Sequence, residues 1–149
     1  MNYSGLRKRA LAFIIDMIPI SLLVFGVSYF FLGFDEVLAT FLNSGNDLES
    51  QRIFYAERNT VRDSALVLWL LYGFIMDCST FQGTHGKILL GMKVTDTGGN
   101  RISFSQSLVR TVMKIIGAAP VFLGYLWGAI REDKATWHDI VAKTRVCHR

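Results

Sequence analysis

The sequence predicts an all-α membrane protein with two transmembrane helices, a kinked, re-entrant or third membrane helix region, and a short cytoplasmic β-hairpin. Three observations predict it. Apolar residues make up 51% of the 149-residue chain, and they fall into long runs rather than at the helical or strand period of a soluble domain. Polar connectors separate those runs. The basic residues, which give a net charge of +4, flank the runs, a pattern that points to lipid and membrane orientation rather than to nucleic acid. One domain accounts for the whole length, 1–149.

The first run covers 10–32. Its 23 residues hold Asp16 as their one ionisable group and follow Arg7, Lys8 and Arg9. At ~1.5 Å per residue it crosses a ~30 Å hydrocarbon core with some tilt. It is too long for a signal-peptide core and has no small-residue cleavage site after it, so it reads as a retained anchor. The second run, 65–81, is at the lower limit for a span and carries Asp77 near its end, with Trp69 and Tyr72 placed for an interface.

The third region, 108–130, begins in an amphipathic helix. Ser103 and Gln106 have capping-box spacing. Leu108, Val109, Val112, Met113 and Ile116 form one stripe, and Ser103, Ser107, Arg110 and Lys114 the opposite face. Gly117 and Pro120 then interrupt the pattern. Two arrangements fit: an interfacial helix followed by a span over 115–130, or a kinked re-entrant hairpin.

Charge chooses between them. The connector 33–64 sets three arginines (Arg52, Arg58, Arg62) against six carboxylates (Asp35, Glu36, Asp47, Glu49, Glu57, Asp63). The amino terminus is basic, as are the connector after Phe81 (Lys87, Lys93 and Arg101 against Asp96) and the tail 131–149. By the positive-inside rule the basic segments are cytoplasmic and 33–64 is external. An odd number of spans would put the basic tail outside, so re-entry or two short helices is favoured. Connector 33–64 is expected to be part helical. The cytoplasmic connector, about 88–104, reads as a hairpin of Lys93–Asp96 on Arg101–Phe104 around Thr97-Gly98-Gly99-Asn100, whose glycines allow a tight turn.

Candidate chemistry centres on the intramembrane acids. A carboxylate in hydrocarbon costs at least ~2.5 kcal/mol, so Asp16 must be buried against protein, paired or protonated. Arg9 lies seven residues earlier on the same face, ~10 Å away along the helix. Asp16, Asp77 and Arg110 are the expected polar cluster, with Lys114 a further cation. It would bind a cation or relay protons; the alternative is a static lock that fixes helix register. Asp77 is also close enough to a helix end to reach headgroups.

The remaining motifs have plainer readings. Gly83-Thr84-His85-Gly86-Lys87 lacks the spacing of a phosphate loop and reads as a turn whose lysine touches lipid phosphates. His138-Asp139 beside Trp137 has no nucleophile in an activating motif. Asp139 is expected to cap a helix beginning near Ile140, or to pair with Arg110 or Lys87. Cys78 and Cys147 imply no disulfide framework, and no cofactor motif or metal-ligand spacing is present. The expectation is a non-enzymatic protein.

Taken in order, these residues resemble the RDD family of small bacterial membrane proteins, named for one arginine and two aspartates. The resemblance rests on Arg9 through Asp16, then Gly83, Thr84, Gly86, Lys87, Gly91, Val94, Asp96, Gly99 and Arg110, and finally Thr136-Trp137-His138-Asp139, Ala142, Thr144 and Val146. It covers about 6–146. It implies that Arg9 and Asp16 are the first two name-giving residues and Asp139 the third, with Asp96 the alternative. His85 stands where the family commonly has proline or leucine, and adds a titratable group near the membrane surface. The family is described as of unknown function with a suggested link to transport.

Together these readings imply a small transporter or cation/proton exchanger in the bacterial inner membrane, multi-pass, amino terminus cytoplasmic. The alternative is a non-catalytic adaptor or assembly subunit. The partners implied are the bilayer with its anionic headgroups and further copies of the chain or a larger complex, since so few helices cannot enclose a pathway.

Overall fold

The computed structural model describes residues 4–45, 47–118 and 134–149. Its element order is α1 (Leu6–Phe31), α2 (Phe34–Asn43), α3 (Leu48–Cys78), α4 (His85–Leu89), β1 (Met92–Asp96), α5 (Phe104–Ala118), α6 (Trp137–Val141) and β2 (Thr144–His148). The chain divides into two compact units. One comprises Met1–Asp16 with Leu70–Arg149, the other Met17–Trp69.

Helix α1 is continuous through Pro19 and covers the first apolar run. Among the described residues it is the helix long and apolar enough to cross a membrane. Leu11, Ile14, Ile18, Leu22 and Leu23 on it are all more than half or close to half exposed, as lipid-facing side chains would be without a bilayer. Helix α3 is much longer than its apolar run. It begins at Leu48 inside the polar connector and stops at Cys78, so the run 65–81 ends in a turn rather than a helix. Arg62, Asp63 and Asp77 interrupt its apolar character. The expected helical content of connector 33–64 is present in α2 and the first half of α3.

The unit Met17–Trp69 is held by aromatic rings. Phe41 stacks on Phe54 with centroids 4.1 Å apart, Phe34 packs edge-on to Phe25 at 5.8 Å, and Phe54 lies 5.6 Å from Tyr55. Gly33, at φ +77°, makes the sharp turn from α1 into α2 that seats Phe34 among them.

The expected hairpin is not formed as drawn. Its turn exists: the Asp96 carboxylate accepts the N–H groups of Gly98 and Asn100, both at 2.8 Å, and Gly99 takes φ +86°. The second strand does not. After Asn100 the chain commits to α5, because Ser103 and Gln106 close the capping box: Gln106 N–H donates to Ser103 Oγ at 3.2 Å, and Ser103 N–H to Gln106 Oε1 at 2.9 Å. β1 instead pairs antiparallel with β2 from the tail, in the register Met92↔His148, Val94↔Val146, Asp96↔Thr144. Both edges are covered. Val94 N–H donates to the Gln82 carbonyl at 2.6 Å, and Ser4 N–H to the Val146 carbonyl at 2.9 Å. Met92, Val94, Ile102 and Val146 meet Ala12 in a small core, so the amino terminus, the connector after α3 and the tail form one packed body.

Helix α5 runs on through Gly117 to Ala118. The expected break at Pro120, and with it most of the region read as re-entrant or as a span over 115–130, lies outside the described residues.

Among the described glycines, Gly86 has the least room for a side chain. A Cβ there would stand 2.2 Å from the Ala12 carbonyl oxygen, so α4 and α1 could not keep their contact. Gly86→Ala is expected to destabilise the detergent-solubilised protein by about 1–3 kcal/mol in a thermal unfolding assay. Gly26→Ala, with nothing within 4 Å, should leave it unchanged or slightly more stable.

Candidate functional site: a buried acid–base network

Helix α5 has the periodicity expected of it, with the polar face turned in. Ser107, Arg110 and Lys114 are buried, whereas Leu108, Val112, Ile115 and Ile116 are about half exposed. Ser107 Oγ donates to the Phe74 carbonyl at 2.7 Å, which fixes α5 one turn from Asp77 on α3. Two cations buried on one face need carboxylates opposite them, and α3 and α6 supply these.

Asp77 is 1% exposed and receives three cations. Lys87 Nζ lies 2.5 Å from Oδ1; Arg110 Nε and Lys114 Nζ lie 3.4 and 3.7 Å from Oδ2. The absence of a side chain at Gly73, one turn before Asp77, leaves room for the Lys114 ammonium, which sits 3.7 Å from where a Cβ would be. Contacts on Oδ2 are looser than on Oδ1: neither Asp77 Oδ2 nor Arg110 Nε has a hydrogen bond among the described residues.

Asp139 is bound differently. Arg110 Nη1 donates to its Oδ1 and also to Thr144 Oγ1 at 2.9 Å. Arg9 Nη1 donates to its Oδ2 at 2.5 Å while Arg9 Nε holds the Ser4 carbonyl at 3.1 Å. The N–H and hydroxyl of Thr136 complete the set on Oδ2, at 3.2 and 2.9 Å. Oδ2 thus accepts three hydrogen bonds and Oδ1 one from Arg110. Burial alone would raise its pKa, but the Arg110 guanidinium, with Arg9, holds it well below the usual carboxylate range. The result is a continuous chain of opposite charges, Lys87–Asp77–Arg110–Asp139–Arg9, that joins α4, α3, α5, α6 and α1. Burial pushes the Lys87 ammonium down despite the pull of Asp77.

The expected cluster of Asp16, Asp77 and Arg110 is therefore corrected in one member. Asp77 and Arg110 meet. Asp16 is buried, but its Oδ1 accepts the Gly86 N–H at 2.8 Å and it makes no ion pair among the described residues. Arg9 does not pair with Asp16 on its own helix face; it reaches Asp139, far off in sequence. Lys87 faces inward to Asp77 rather than out to lipid phosphates, and Thr84 is the N-cap residue of α4. Asp77 is committed to its cations rather than to headgroups. Asp96 and Gly99 serve the turn after β1, and Gly91, at φ +67°, serves the turn before it. Asp139 pairs with Arg110 as one reading had it, but its helix starts at Trp137, and Asp139 occupies the third position of a capping box opened by Thr136. His138 is buried against the Thr136 hydroxyl, and burial holds its imidazole well below the ordinary pKa and so neutral. Thr136, His138 and Asp139 are all buried, so this trio caps a helix and offers no accessible nucleophile.

The family model described as RDD family matches residues 3–143. The chain belongs to the RDD family. With the apolar α1, this makes it a membrane protein. A relative in sequence is the Bacillus subtilis (strain 168) protein named "Uncharacterized protein YxaI", 36% identical over 84 residues, which are 56% of this chain and 55% of that protein. The chain thus spans about half the length of the curated relative it matches. No solved structure matches it. Of the three residues that the resemblance assigns to the family name, Arg9 and Asp139 are ion-paired across the fold, and Asp16 anchors α4.

Removing the Asp139 charge strands Arg9 and Arg110. Asp139→Asn is expected to lower stability by about 3–5 kcal/mol, and Asp96→Asn by less than about 0.5 kcal/mol, in parallel melts at neutral pH. Because Asp139's pKa is depressed on folding, its contribution is fully present above the ordinary carboxylate pKa of ~4 and is lost only as pH falls towards the lower folded value. The wild type should therefore show a larger acid-side loss than the Asn variant, in which Asp77 alone of the two network acids remains.

Proposed function

We propose that this RDD protein is a multi-pass protein of the bacterial cytoplasmic membrane that exchanges a small cation or proton, with Asp77 as the exchanging group. One observation carries the reading: Asp77 is a buried carboxylate whose competing partners include two lysines, side chains that can give up a proton, and its Oδ2 is only loosely held. Asp139, saturated by two arginines and a threonine, is the fixed point against which Arg110 is positioned. Release of Lys87 or Lys114 would leave Asp77 free to accept an ion or a proton. The reading is non-enzymatic, and with so few membrane elements it requires an oligomer.

The topology that goes with it has the amino terminus, 82–104 and the tail in the cytoplasm. Pairing of β1 with β2, and of Ser4 with Val146, supports this, because segments that share a sheet lie on one side of a membrane. The chain between Asp16 and Leu70 leaves that body and returns to it, which fits two crossings by α1 and α3. The exposed apolar stripe of α5 would face lipid. The same stripe favours a second reading, a membrane adaptor whose network is a lock and whose α5 packs on a larger partner.

In proteoliposomes, wild-type protein should dissipate a pH gradient on addition of a monovalent cation, and Asp77→Asn should reduce this to the empty-vesicle rate. Undiminished flux in correctly assembled Asp77→Asn would end the exchange reading, and a partner that co-purifies in mild detergent from cells would then favour the adaptor. Topology is read separately. In a background with Cys78 and Cys147 replaced by alanine, Glu57→Cys should react with an impermeant maleimide on intact cells, whereas Thr97→Cys and Arg149→Cys should react only after lysis.

A further inference from the structure

The segment from Ser79 to Gly91, between α3 and β1, reads as a loop but does not have a loop's surface. Its exposed side chains are Thr80, Phe81, His85 and Leu89, with Phe81 56% and Leu89 73% exposed. None is an acid, a lysine or an arginine. The one such residue in the segment, Lys87, is turned inward to Asp77. The turn after β1, by contrast, exposes Thr97, Gly98, Asn100 and Arg101.

Much of the segment's backbone is satisfied by protein. The first N–H groups of a helix have no partner within it, and on a water-facing helix water can serve them. In α4 the His85 N–H donates to the Tyr72 hydroxyl oxygen at 2.9 Å and the Gly86 N–H to Asp16 Oδ1 at 2.8 Å. The Phe81 carbonyl accepts from Arg149 Nη2 at 2.6 Å, the Gln82 carbonyl from the Val94 N–H at 2.6 Å, and the Gly91 carbonyl from the Arg149 N–H at 2.8 Å. Backbone groups need such partners wherever water is scarce, and five residues do not hold a helix without outside support.

Depth follows from the helices that grip α4. Gly86 packs on the Ala12 carbonyl and bonds Asp16, two and six residues into the apolar run that starts at Ala10. At ~1.5 Å per residue, α4 lies beside the first ~3–9 Å of that run. Its partners on α3, Tyr72 and Asp77, fall within the second apolar run, 65–81. Leu11 and Ile14, at the same level of α1, are about half exposed, so both helices present apolar side chains at this depth. His85 and Leu89, four residues apart, share the outer face of α4.

We propose that α4 is seated in the membrane: its outer face, with Leu89 and the adjoining Phe81, is inserted among the phospholipids of the cytoplasmic leaflet. Buried Lys87 and Gly86 then face the protein, Leu89 and Phe81 face acyl chains, and the Tyr72–His85 pair lies at headgroup level, where amphipathic rings are favoured. This goes beyond the exchange reading and takes from it only which leaflet is meant. Of the segments placed on the cytoplasmic side, α4 is the part that enters the bilayer.

The depth of α4 is read by electron paramagnetic resonance on the full chain in vesicles of phosphatidylethanolamine and phosphatidylglycerol. Nitroxides are attached singly to Leu89→Cys, Phe81→Cys, Thr97→Cys and Leu22→Cys, in the background with Cys78 and Cys147 replaced by alanine. Collision with oxygen, which concentrates in the bilayer, should exceed collision with a water-soluble nickel chelate several-fold at Leu89 and Phe81, as at Leu22 on α1. The ratio should reverse at Thr97. A Leu89 label as open to nickel as Thr97 would put α4 in water and overturn the proposal. A label shielded from both probes would place this face against protein and overturn it too, with a second copy assigned where singly labelled chains show dipolar broadening. If a labelled variant does not assemble, the Leu89 methyl resonances of the wild type decide. They should broaden with a lipid carrying a nitroxide on its acyl chain and not with the nickel chelate, and the opposite pattern overturns the proposal. Ion flux plays no part in these measurements, so loss of the exchange reading leaves the seated helix standing.

Discussion

Arg110 touches both buried carboxylates of the network, and the rest of the site depends on that bridge. Its Nε faces Asp77 and its Nη1 faces Asp139. An arginine with 2% exposure is tolerable only with such compensation. Each acid is in turn placed by an element that would otherwise have little reason to stay: Asp77 by the last turns of α3, Asp139 by the five-residue α6, too short to persist by itself. The planar guanidinium can satisfy two carboxylates at once in fixed directions, which a lysine cannot do. The network therefore determines position as well as charge balance.

Much of the architecture was legible because it rests on local rules. Run length and the basic flank gave α1, and the Ser103–Gln106 spacing gave the start of α5 to within a residue. The three-four spacing of Ser107, Arg110 and Lys114 gave its polar face. The spacing could not say which way that face turns. In a soluble domain it would meet water; here it is the buried face, because the cations have acids to meet. The β-hairpin failed for a related reason. Its turn chemistry was real, but a strand needs a partner, and the competition between Arg101–Phe104 and Thr144–His148 is settled by long-range packing of Val94 and Val146 and by the capping of α5.

The site was legible in its ingredients and not in its pairing. Asp77 with Arg110 could be anticipated because each carries a charge where hydrocarbon or core was expected. Arg9 was paired in sequence logic with Asp16, the nearest acid on its own helix face, but ~10 Å of helix separates them and a distant acid does the work. Lys87 was read as a surface lysine because its neighbours, two glycines and a threonine, look like a loop. The signal missed was that those small residues let the backbone come close to α1 and α3, and a lysine carried inward with that backbone must find an acid.

The glycine-rich segment and the buried acids Asp16 and Asp77 belong to one device. Gly86 packs on the Ala12 carbonyl and gives its N–H to Asp16; no other residue allows both. Asp16 thus serves α4 by accepting a backbone N–H, which offsets part of the cost of its burial. With the backbone held there, Lys87 has one acid in reach, Asp77, and Asp77 already faces Arg110 and Lys114. A third cation on one carboxylate is held less firmly than a first, since each added ammonium is repelled by those in place while all give up hydration. The sequence order Gly-Lys after a histidine sets the cation closest to Asp77 on a five-residue helix, and α4 is thereby tied to the charge balance at Asp77.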